Sequence, residues 1–347
     1  MSLPRVSAAP VFDHLSHLTD GRGLFEHALL DDPRREHGYC LDDVARALVV
    51  TCREEHPSHP LRMLVGRYLD FTLRALQPDG SCHNRMSIDG TWSDEPALGD
   101  WWGRAVWGLG VAAEHAPNPA MRARALLGFR VATRRRSPHL RAMAFAALGA
   151  GELLLSRPDE SCAQDLLRDA LELIGPPGSD PAWPWPQPRL TYGNGSVVEA
   201  LLLAGTALPD AAAQARGLEL LDFLLRTETL GGRLSVTPVG GRGPGDVAPG
   251  YDQQPIEVAA LADACARAYE VTGDPRWWDG VRLAWAWFAG DNDSGTPMFD
   301  PVTGAGFDGL QRRGCNLNRG AESTLAALST AQHARRLGML SVLAGPP

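Results

Sequence analysis

Three glutamates stand alone in apolar stretches of this sequence, and they are its sharpest chemical signal. Glu199, Glu257 and Glu322 each lie about one turn inside a predicted small-residue helix. A buried carboxylate is costly unless it is paired or hydrogen-bonded. Placement near the positive N-terminus of a helix is one explanation for such an acid. Three acids in similar positions favour another explanation, a polar site that carries acid–base chemistry.

Acid–arginine pairs one helical turn apart form the second signal. Asp42 and Asp43 begin a predicted helix that contains Arg46, and Asp100 with Arg104 repeats this spacing. One of the first two acids also suits a helix N-cap. Pairs at this spacing commonly stabilise a helix surface. Inside a ring they would also keep a carboxylate ionised and fix its orientation.

Further polar and aromatic residues precede the predicted helices and suit a ligand rich in hydroxyl groups. Amides and acids can exchange hydrogen bonds with hydroxyls, and flat aromatic rings can stack on the C–H faces of sugars. The polar candidates are His37, Asp252, Gln253, Gln254, Asp308, Asn316 and Asn318. The aromatic candidates are Trp101, Trp102, Tyr192 and Tyr251. Core packing is the alternative explanation for each aromatic ring.

Six apolar stretches must position these groups. Helices that are apolar all round have to be buried, and these six begin with polar residues. They are His37–Val50, Gly99–Gly110, Ser137–Gly151, Leu190–Gly205, Gly250–Ala264 and Asn316–Ala331. We therefore expect one ring of inner helices, with its polar groups gathered at one mouth.

A second set of helices alternates with the first and is amphipathic, as outer helices should be. These segments are Pro60–Leu76, Ala120–Arg136, Cys162–Ile174, Ala211–Arg226 and Pro275–Ala289, with a short helix at Val11–Leu18 before them. About twelve helices with a period of roughly 50 residues per hairpin indicate a closed repeat. The prediction is an all-α (α/α)6 toroid formed by residues 1–347 as a single domain; a two-domain α/α arrangement is the alternative.

Four connections are too long to be simple turns, and all of them lead into inner helices. They are Gln77–Leu98, Gly175–Gly193, Thr229–Gly250 and Asp291–Arg319, the third with a predicted β-hairpin. Long loops over one face of a repeat scaffold commonly shape a binding site. We expect them to surround the mouth.

Composition narrows the class of protein. The chain has 44% hydrophobic residues, 21% charged residues and a net charge of −8, which is typical of a globular protein and argues against a nucleic-acid partner. No apolar run approaches a membrane span, and the first residues lack signal-peptide features, so we expect a cytoplasmic location. The six cysteines lack zinc spacing. No nucleotide-binding or metalloprotease motif occurs, and we expect neither a metal nor a cofactor.

Several motifs together resemble the six-hairpin glycosidase-like superfamily. More closely, the chain is similar to a bacterial (α/α)6 domain that is often attached to glycosyltransferases. The motifs are HGYCLDDVARAL, DGTWSDE with GDWWGRAVWGLG, YDQQPIEVAALADA, and GTPMFDPVTG with GFDGL and NLNRGAESTLAAL. The resemblance covers most of the chain. It implies a toroid fold and a carbohydrate connection, without a settled reaction.

Our functional expectation is an inverting glycoside hydrolase that acts on an oligosaccharide or glycan. Such an enzyme uses two carboxyl groups about 6.5–9.5 Å apart. The acid–base candidates are Asp43, Asp252, Glu257 and Glu322, and the remaining polar and aromatic candidates, with Asp42, Asp100, Arg104 and Glu199, would bind the substrate. A sugar epimerase or isomerase is one alternative. A non-catalytic glycan-binding module that partners a separate glycosyltransferase is the other.

Overall fold

The computed structural model describes residues 10–339 and confirms the predicted alternation of helices. Twelve α-helices occur in this range. The inner helices are α2 (Leu41–Cys52), α4 (Asp100–His115), α6 (Leu140–Ser156), α8 (Asn194–Ala207), α10 (Pro255–Thr272) and α12 (Ala321–Arg336). The outer helices are α1 (Asp13–His17), α3 (His59–Ala75), α5 (Pro119–Ala132), α7 (Ser161–Ile174), α9 (Ala211–Thr227) and α11 (Pro275–Phe288).

The inner helices close into a ring because each packs against its neighbours and α12 returns to α2. Small residues allow these helices to approach closely. A Cβ added at Gly110 of α4 would lie 2.3 Å from the carbonyl oxygen of Gly149 on α6, which leaves no room for a side chain. The outer helices cover the ring, and the apolar core fills the space between the two layers. The predicted (α/α)6 toroid is confirmed.

Inner and outer helices begin in different ways. Four outer helices are capped by the side chain that precedes them, which accepts hydrogen bonds from first-turn amides: Ser58, Asn118, Asp210 and Asp274. None of the six inner helices has such a bond from its own N-cap residue. The amides at the inner helix starts therefore take partners from other segments, and those segments meet at the mouth.

Short antiparallel hairpins fold the connections. The pairs are β1 (Ala28–Leu29) with β2 (Asp32–Pro33), β3 (Tyr39–Cys40) with β4 (Arg85–Met86), β5 (Thr229–Leu230) with β6 (Arg233–Leu234), and β7 (Gly309–Leu310) with β8 (Cys315–Asn316). The predicted hairpin within Thr229–Gly250 is β5–β6. Within residues 10–339, no helix is both long and apolar enough to cross a membrane.

Candidate active site

A cavity of 470 Å³ opens at the N-terminal ends of the inner helices, and we call it the mouth cavity. Its walls combine carboxylates, arginines, amides and aromatic rings, which is the mixture expected of a site for a polar ligand. The lining residues are Glu26, His27, Cys40, Asp42, Asp43, Arg46, Asn84, Arg85, Asp100, Trp101, Arg104, Tyr192, Gln254, Asp308, Gly320, Glu322 and Ser323. The polar helix starts therefore converge on one mouth, as expected.

Arg46 connects three carboxylates in this cavity. Its Nη2 donates to Asp43 at 2.5 Å and to Asp42 at 3.1 Å, while Nη1 donates to Glu322 at 2.8 Å. Burial disfavours the charged guanidinium, but these three acids outweigh it and raise the pKa of Arg46. The bridge ties the start of α2 to the start of α12 and fixes the carboxylates relative to one another.

Arg104 brings a second guanidinium from α4 to the same acids. It forms an ion pair with Asp42 and lies over the ring of Phe145, 4.5 Å from the ring centroid. Its buried Nε has no hydrogen-bond partner among the described residues. Asp42 is therefore held between two arginines, whereas Arg104 keeps one donor available.

Asp43 is the most enclosed acid of the mouth, with only 3% of its surface exposed. Burial raises the pKa of Asp43 to about 8; Arg46 opposes this shift, and the neighbouring charges of Asp42 and Glu322 add to it. At neutral pH the carboxyl group is thus largely protonated and can donate a proton. Glu322 is half-buried and more accessible from the cavity.

Residues outside the helices complete one wall, and the sequence reasoning missed them. Glu26 forms an ion pair with Arg85 and lies 3.6 Å from Nδ1 of His27. The Nδ1 atoms of His27 and His37 are 3.0 Å apart. His37 was among the predicted substrate-binding residues, but only His27 of this pair lines the cavity, so the expected contact of His37 with a ligand is replaced by its contact with His27. The segment around Glu26 has no helical or strand periodicity, so no pattern in it indicated a site.

Asn84 lies in the connection between α3 and α4, and its contact with Cys40 joins this connection to the start of α2. The side-chain oxygen of Asn84 accepts hydrogen bonds from the Cys40 thiol at 3.2 Å and from the backbone amide of Asp42 at 3.3 Å. Burial raises the pKa of Cys40 well above its usual range, and the nearby acids add to this shift. The thiol therefore stays protonated and has a structural role. Asn84 supplies the amide partner that the start of α2 lacks.

Two predicted aromatic residues border the cavity. The indole N–H of Trp101 donates to the carbonyl of Cys82 at 2.8 Å, which fixes the ring at the wall. Tyr192 is 45% exposed, and its partial burial together with the hydrogen bond to Asp100 raises the pKa of Tyr192 to about 12. Trp102, in contrast, is fully buried and donates to the carbonyl of Ala132. This corrects the expectation that Trp102 contacts a sugar.

Asp308 and Gln254 reach the mouth from the later loops, as expected. Oδ1 of Asp308 accepts hydrogen bonds from the amide of Gly320 at 2.7 Å and from the Ser323 hydroxyl. Asp308 thus supplies the missing cap of α12 and holds the helix that carries Glu322. The first role of Asp308 is therefore to position α12, and hydrogen bonding to a ligand is an additional role.

Glu257 does not line the mouth cavity. It is buried at the start of α10, where Oε1 accepts from the amide of Gly193 at 2.6 Å and Oε2 from Nδ2 of Asn194 at 3.3 Å. Burial raises the pKa of Glu257 to about 7, with Glu228 adding to the shift and the Gly193 amide opposing it. The expected acid–base role of Glu257 is therefore replaced by a cap on α8.

Four further candidates also lie outside the cavity lining. Gln253 is fully buried and bonds to Asp293 at 2.7 Å and to the Trp287 indole, so it is a structural amide. Asn316 and Asn318 bond to each other and, through Asn318, to the amide of Leu30. Tyr251 packs under Arg312 with 5.3 Å between guanidinium and ring centroid. These contacts give the loops their shape.

Asp252 and Glu199 are likewise away from the mouth. Asp252 is exposed, beside the backbone of Gly309. Glu199 lines a different cavity at the opposite end of the ring. The three glutamates are not at equivalent positions because Glu322, Glu257 and Glu199 are the second, third and sixth residues of their helices. Each step along a helix turns a side chain by about 100° and moves it 1.5 Å deeper.

Solved structures resemble the whole chain in fold. A sugar epimerase from a ruminal bacterium superposes with a TM-score of 0.69 at 11% identity, covering 95% of this chain and 96% of the epimerase. A cellobiose 2-epimerase from Spirochaeta thermophila gives 0.68 at 13%, with 96% and 94% covered. A GH76 α-mannanase from Bacteroides thetaiotaomicron gives 0.64 at 11%, with 94% and 95% covered. No protein-family model and no curated sequence matches this chain.

The chain therefore shares the (α/α)6 toroid fold of these solved structures. Solved structures that share this six-hairpin fold bear the names of glycoside hydrolases and of sugar epimerases. The fold alone does not determine the reaction, so the reaction has to be argued from the residues of the mouth cavity.

One cluster in this six-hairpin toroid has the composition of a metal site. Among the described residues, Glu26, Cys40 and Asp43 bring three ligand atoms within 4.8 Å of one another. Arg85 pairs with Glu26, and Arg46 pairs with Asp43. Two guanidinium groups on the prospective ligands would repel a cation. The composition of the cluster therefore does not suit a metal ion.

Proposed function

We propose that this protein is a glycoside hydrolase whose catalytic acids are Asp43 and Glu322. One observation carries the proposal: a buried acid and an accessible acid bind different nitrogens of the same guanidinium, Arg46, in one cavity. Glycoside hydrolysis needs two carboxyl groups in opposite protonation states. Asp43 is buried and its pKa is raised, whereas the Glu322 side chain is accessible from the cavity.

In the proposed mechanism Asp43 is the general acid. Its raised pKa keeps the proton on the carboxyl group, which donates it to the glycosidic oxygen as the bond from that oxygen to the anomeric carbon breaks. Glu322 takes a proton from water, and the water oxygen bonds to the anomeric carbon. The departing sugar carries the proton from Asp43, and solvent afterwards restores both acids. Arg46 donates a hydrogen bond to Oε2 of Glu322 and holds this carboxyl group in place beside the substrate.

The remaining lining residues suit the binding of a sugar. Trp101 and Tyr192 offer flat rings, while Asp42, Asp100 and Gln254 offer hydrogen-bond partners for hydroxyl groups. The free Nε donor of Arg104 faces no protein acceptor. The names of the similar structures include an α-mannanase and a cellulase, which agrees with a carbohydrate substrate. Inversion at the anomeric carbon stays a prediction.

A second candidate is a sugar epimerase or isomerase, because His27 lines the same cavity and several similar structures carry those names. Such a reaction removes a proton from a sugar carbon and returns it, for which histidine is well suited. The geometry supports it less. His27 is coupled to His37, His83 bonds to the carbonyl of Asp94, and His139 is exposed at the start of α6.

The test is turnover of an oligosaccharide panel of mannose, glucose, galactose and arabinose types, followed by NMR. We expect release of a reducing sugar, with Asp43→Asn and Glu322→Gln each lowering kcat by about 10²–10⁴. The kcat of the wild type should fall as the pH rises through about 8, because Asp43 must be protonated to act. Asp279→Asn, on the exposed outer helix α11, is the matched control.

The outcomes separate the candidates. Release of sugar that Asp43→Asn and Glu322→Gln do not reduce, or that Asp252→Asn alone reduces, would refute the assigned acids. An isomeric product of unchanged mass, lost in His27→Gln, would establish the epimerase instead. Binding without any product would leave a glycan-binding module. The anomer formed first shows whether the hydrolysis inverts or retains configuration.

A further inference from the structure

A second cavity of 460 Å³ lies at the C-terminal ends of the inner helices, and we call it the far-end cavity. A waist of 50 Å³ lies between this cavity and the mouth cavity: it shares Arg46 and Glu322 with the mouth and Arg53 and Asp263 with the far end. Apolar side chains, among them Val49, Trp107 and Leu325, line it between these charged groups. The waist admits water-sized groups and is too small for a sugar ring. The far-end cavity is therefore a separate compartment, and nothing in the proposed hydrolysis uses it.

The positive charges of the far-end cavity are already neutralised. Arg53, Arg267, Arg335 and Arg336 line it, and each forms an ion pair with a carboxylate at 2.7–3.0 Å. Seven acidic residues face these four arginines. The lining as a whole is thus negative, and each of its four guanidinium groups already has a carboxylate partner.

Two acceptors of this cavity are buried and lack partners. Oε2 of Glu199 and Oε1 of Gln332 have no hydrogen-bond partner among the described residues, although the two residues are only 3% and 7% exposed. Native proteins seldom leave buried polar atoms unsatisfied, because each costs about 1–3 kcal/mol. Both atoms require a donor, and both residues line the same cavity.

The ends of the inner helices also favour a cation in the far-end cavity. All six inner helices contribute residues from their middle or C-terminal halves to the cavity. The C-terminal ends of helices carry a partial negative charge, which favours cations. Among the neighbouring rings, Trp107 already lies 5.5 Å from the guanidinium of Arg53. A cationic group in this cavity would meet acceptors, negative helix ends and a nearby aromatic surface.

We propose that the far-end cavity binds a small organic cation with N–H donors, a primary ammonium or a guanidinium, through Glu199 and Gln332. The volume is sufficient for a small metabolite. The buried Nε of Arg267 also lacks a partner among the described residues, but the two Nη atoms of that guanidinium are paired with Glu152 and Glu270. Glu199 and Gln332 offer acceptors, and a ligand that satisfies them supplies N–H donors. This inference does not depend on glycoside hydrolysis at the mouth.

Proton release should accompany this binding. Burial raises the pKa of Glu199 to about 8; Asp263 adds to the shift, Arg53 and Arg267 oppose it, and Glu152 adds a smaller contribution. A cation favours the ionised carboxylate, so below about pH 8 binding must displace a proton. The affinity should rise by up to about tenfold per pH unit on approaching that value.

The experiment is calorimetric titration with ethylammonium and methylguanidinium, with tetramethylammonium as a cation that has no N–H donor. We expect Glu199→Gln to weaken the binding of ethylammonium by about tenfold or more and to abolish its pH dependence. Gln332→Met should weaken binding several-fold. Asp279→Asn changes an exposed acid of the outer helix α11, outside the cavity lining, and should leave the affinity within about twofold.

Three results would overturn the proposal. They are the absence of binding by both N–H cations, equal affinity for tetramethylammonium, and an affinity that neither Glu199→Gln nor Gln332→Met reduces. Circular dichroism and cooperative unfolding verify that each variant is folded. If one of the two variants does not fold, the other still tests the proposal. Glycan turnover measured in parallel distinguishes failure here from failure at the mouth.

Discussion

The two ends of the toroid hold buried acids in opposite ways. At the mouth, Arg46 is surrounded by three carboxyl groups, among them Asp43, whose pKa is raised by burial. At the far end, Arg53 is bonded to Asp263 and Ser329, while Glu199 has no hydrogen bond from Oε2. The mouth therefore presents a connected acid network, and the far end presents unsatisfied acceptors.

The same two helices build both arrangements. Arg46 and Arg53 are seven residues apart at α2, and Glu322 and Ser329 are seven residues apart on α12. Seven residues make nearly two turns, so each pair projects from one face at two depths. Helix N-termini favour the acids of the mouth, and C-termini favour bases or cations at the far end. The position of a group along the axis of the ring thus determines whether an acid or a cation is favoured beside it.

The largest expected difference between the ends concerns their arginines. Arg46→Met leaves three carboxylates without their shared cation and should lower the free energy of unfolding by about 3–5 kcal/mol. Arg53→Met should cost less, about 1–3 kcal/mol, because Asp263 keeps His333 at 2.5 Å and Ser329 at 3.0 Å. Urea unfolding measures both values.

Arg282→Met is the control for this pair, since Arg282 forms an exposed ion pair with Asp279 on α11. It should change stability by no more than about 1 kcal/mol. Equal losses for Arg46→Met and Arg53→Met would contradict the view that only the mouth network depends on one shared cation.

The next effect is the pH dependence of stability. Asp43 and Glu199 have pKa values of about 8 in the folded protein, well above those of unfolded carboxyl groups. The folded state therefore binds more protons at intermediate pH, and stability is lost as the pH rises from about 5 to 8. Glu199→Gln should remove a share of this loss, on the order of 1–4 kcal/mol.

The measurement is the urea midpoint across this pH range for wild type, Glu199→Gln and Glu55→Gln. A slope that Glu199→Gln leaves as steep as in wild type would place the responsible acids elsewhere. Asp263 has the opposite effect, because its pKa is lowered by Arg53 and His333 despite its burial. Its stabilisation is lost only in strong acid.

The fold was predictable because it depends on averages over many residues. The inner helices extend beyond the predicted stretches, most of all α10, which ends at Thr272 rather than Ala264. The amphipathic outer helices were located from periodicity to within a few residues, with the largest shift at α5, which ends at Ala132 rather than Arg136. There the Thr133 hydroxyl bonds to the carbonyl of Phe129 at the end of the helix. Single residues of this kind set the boundaries.

The site was predictable only where a residue stands at a helix start. Asp42, Asp43, Asp100 and Glu322 reach the mouth because the first turn of each inner helix faces it. Glu199 does not reach the mouth, because it lies one turn further along its helix and its side chain is beyond the waist. His27 and Asn84 come from segments whose paths are determined by tertiary packing, and sequence periodicity contains no information on them.

The smallest expected effect tests whether the two ends act separately. Ala326 lines the waist on α12, and Ala326→Val would add two methyl groups to a cavity of 50 Å³. Stability should change by about 1 kcal/mol or less, because the added groups enter existing space. Glycan kcat at the mouth and ethylammonium affinity at the far end should each stay within about twofold. A larger change in either would show that the waist transmits water or strain between the compartments. A change in both would show that the two cavities are coupled, because Ala326 lines neither of them and could affect both only through the waist.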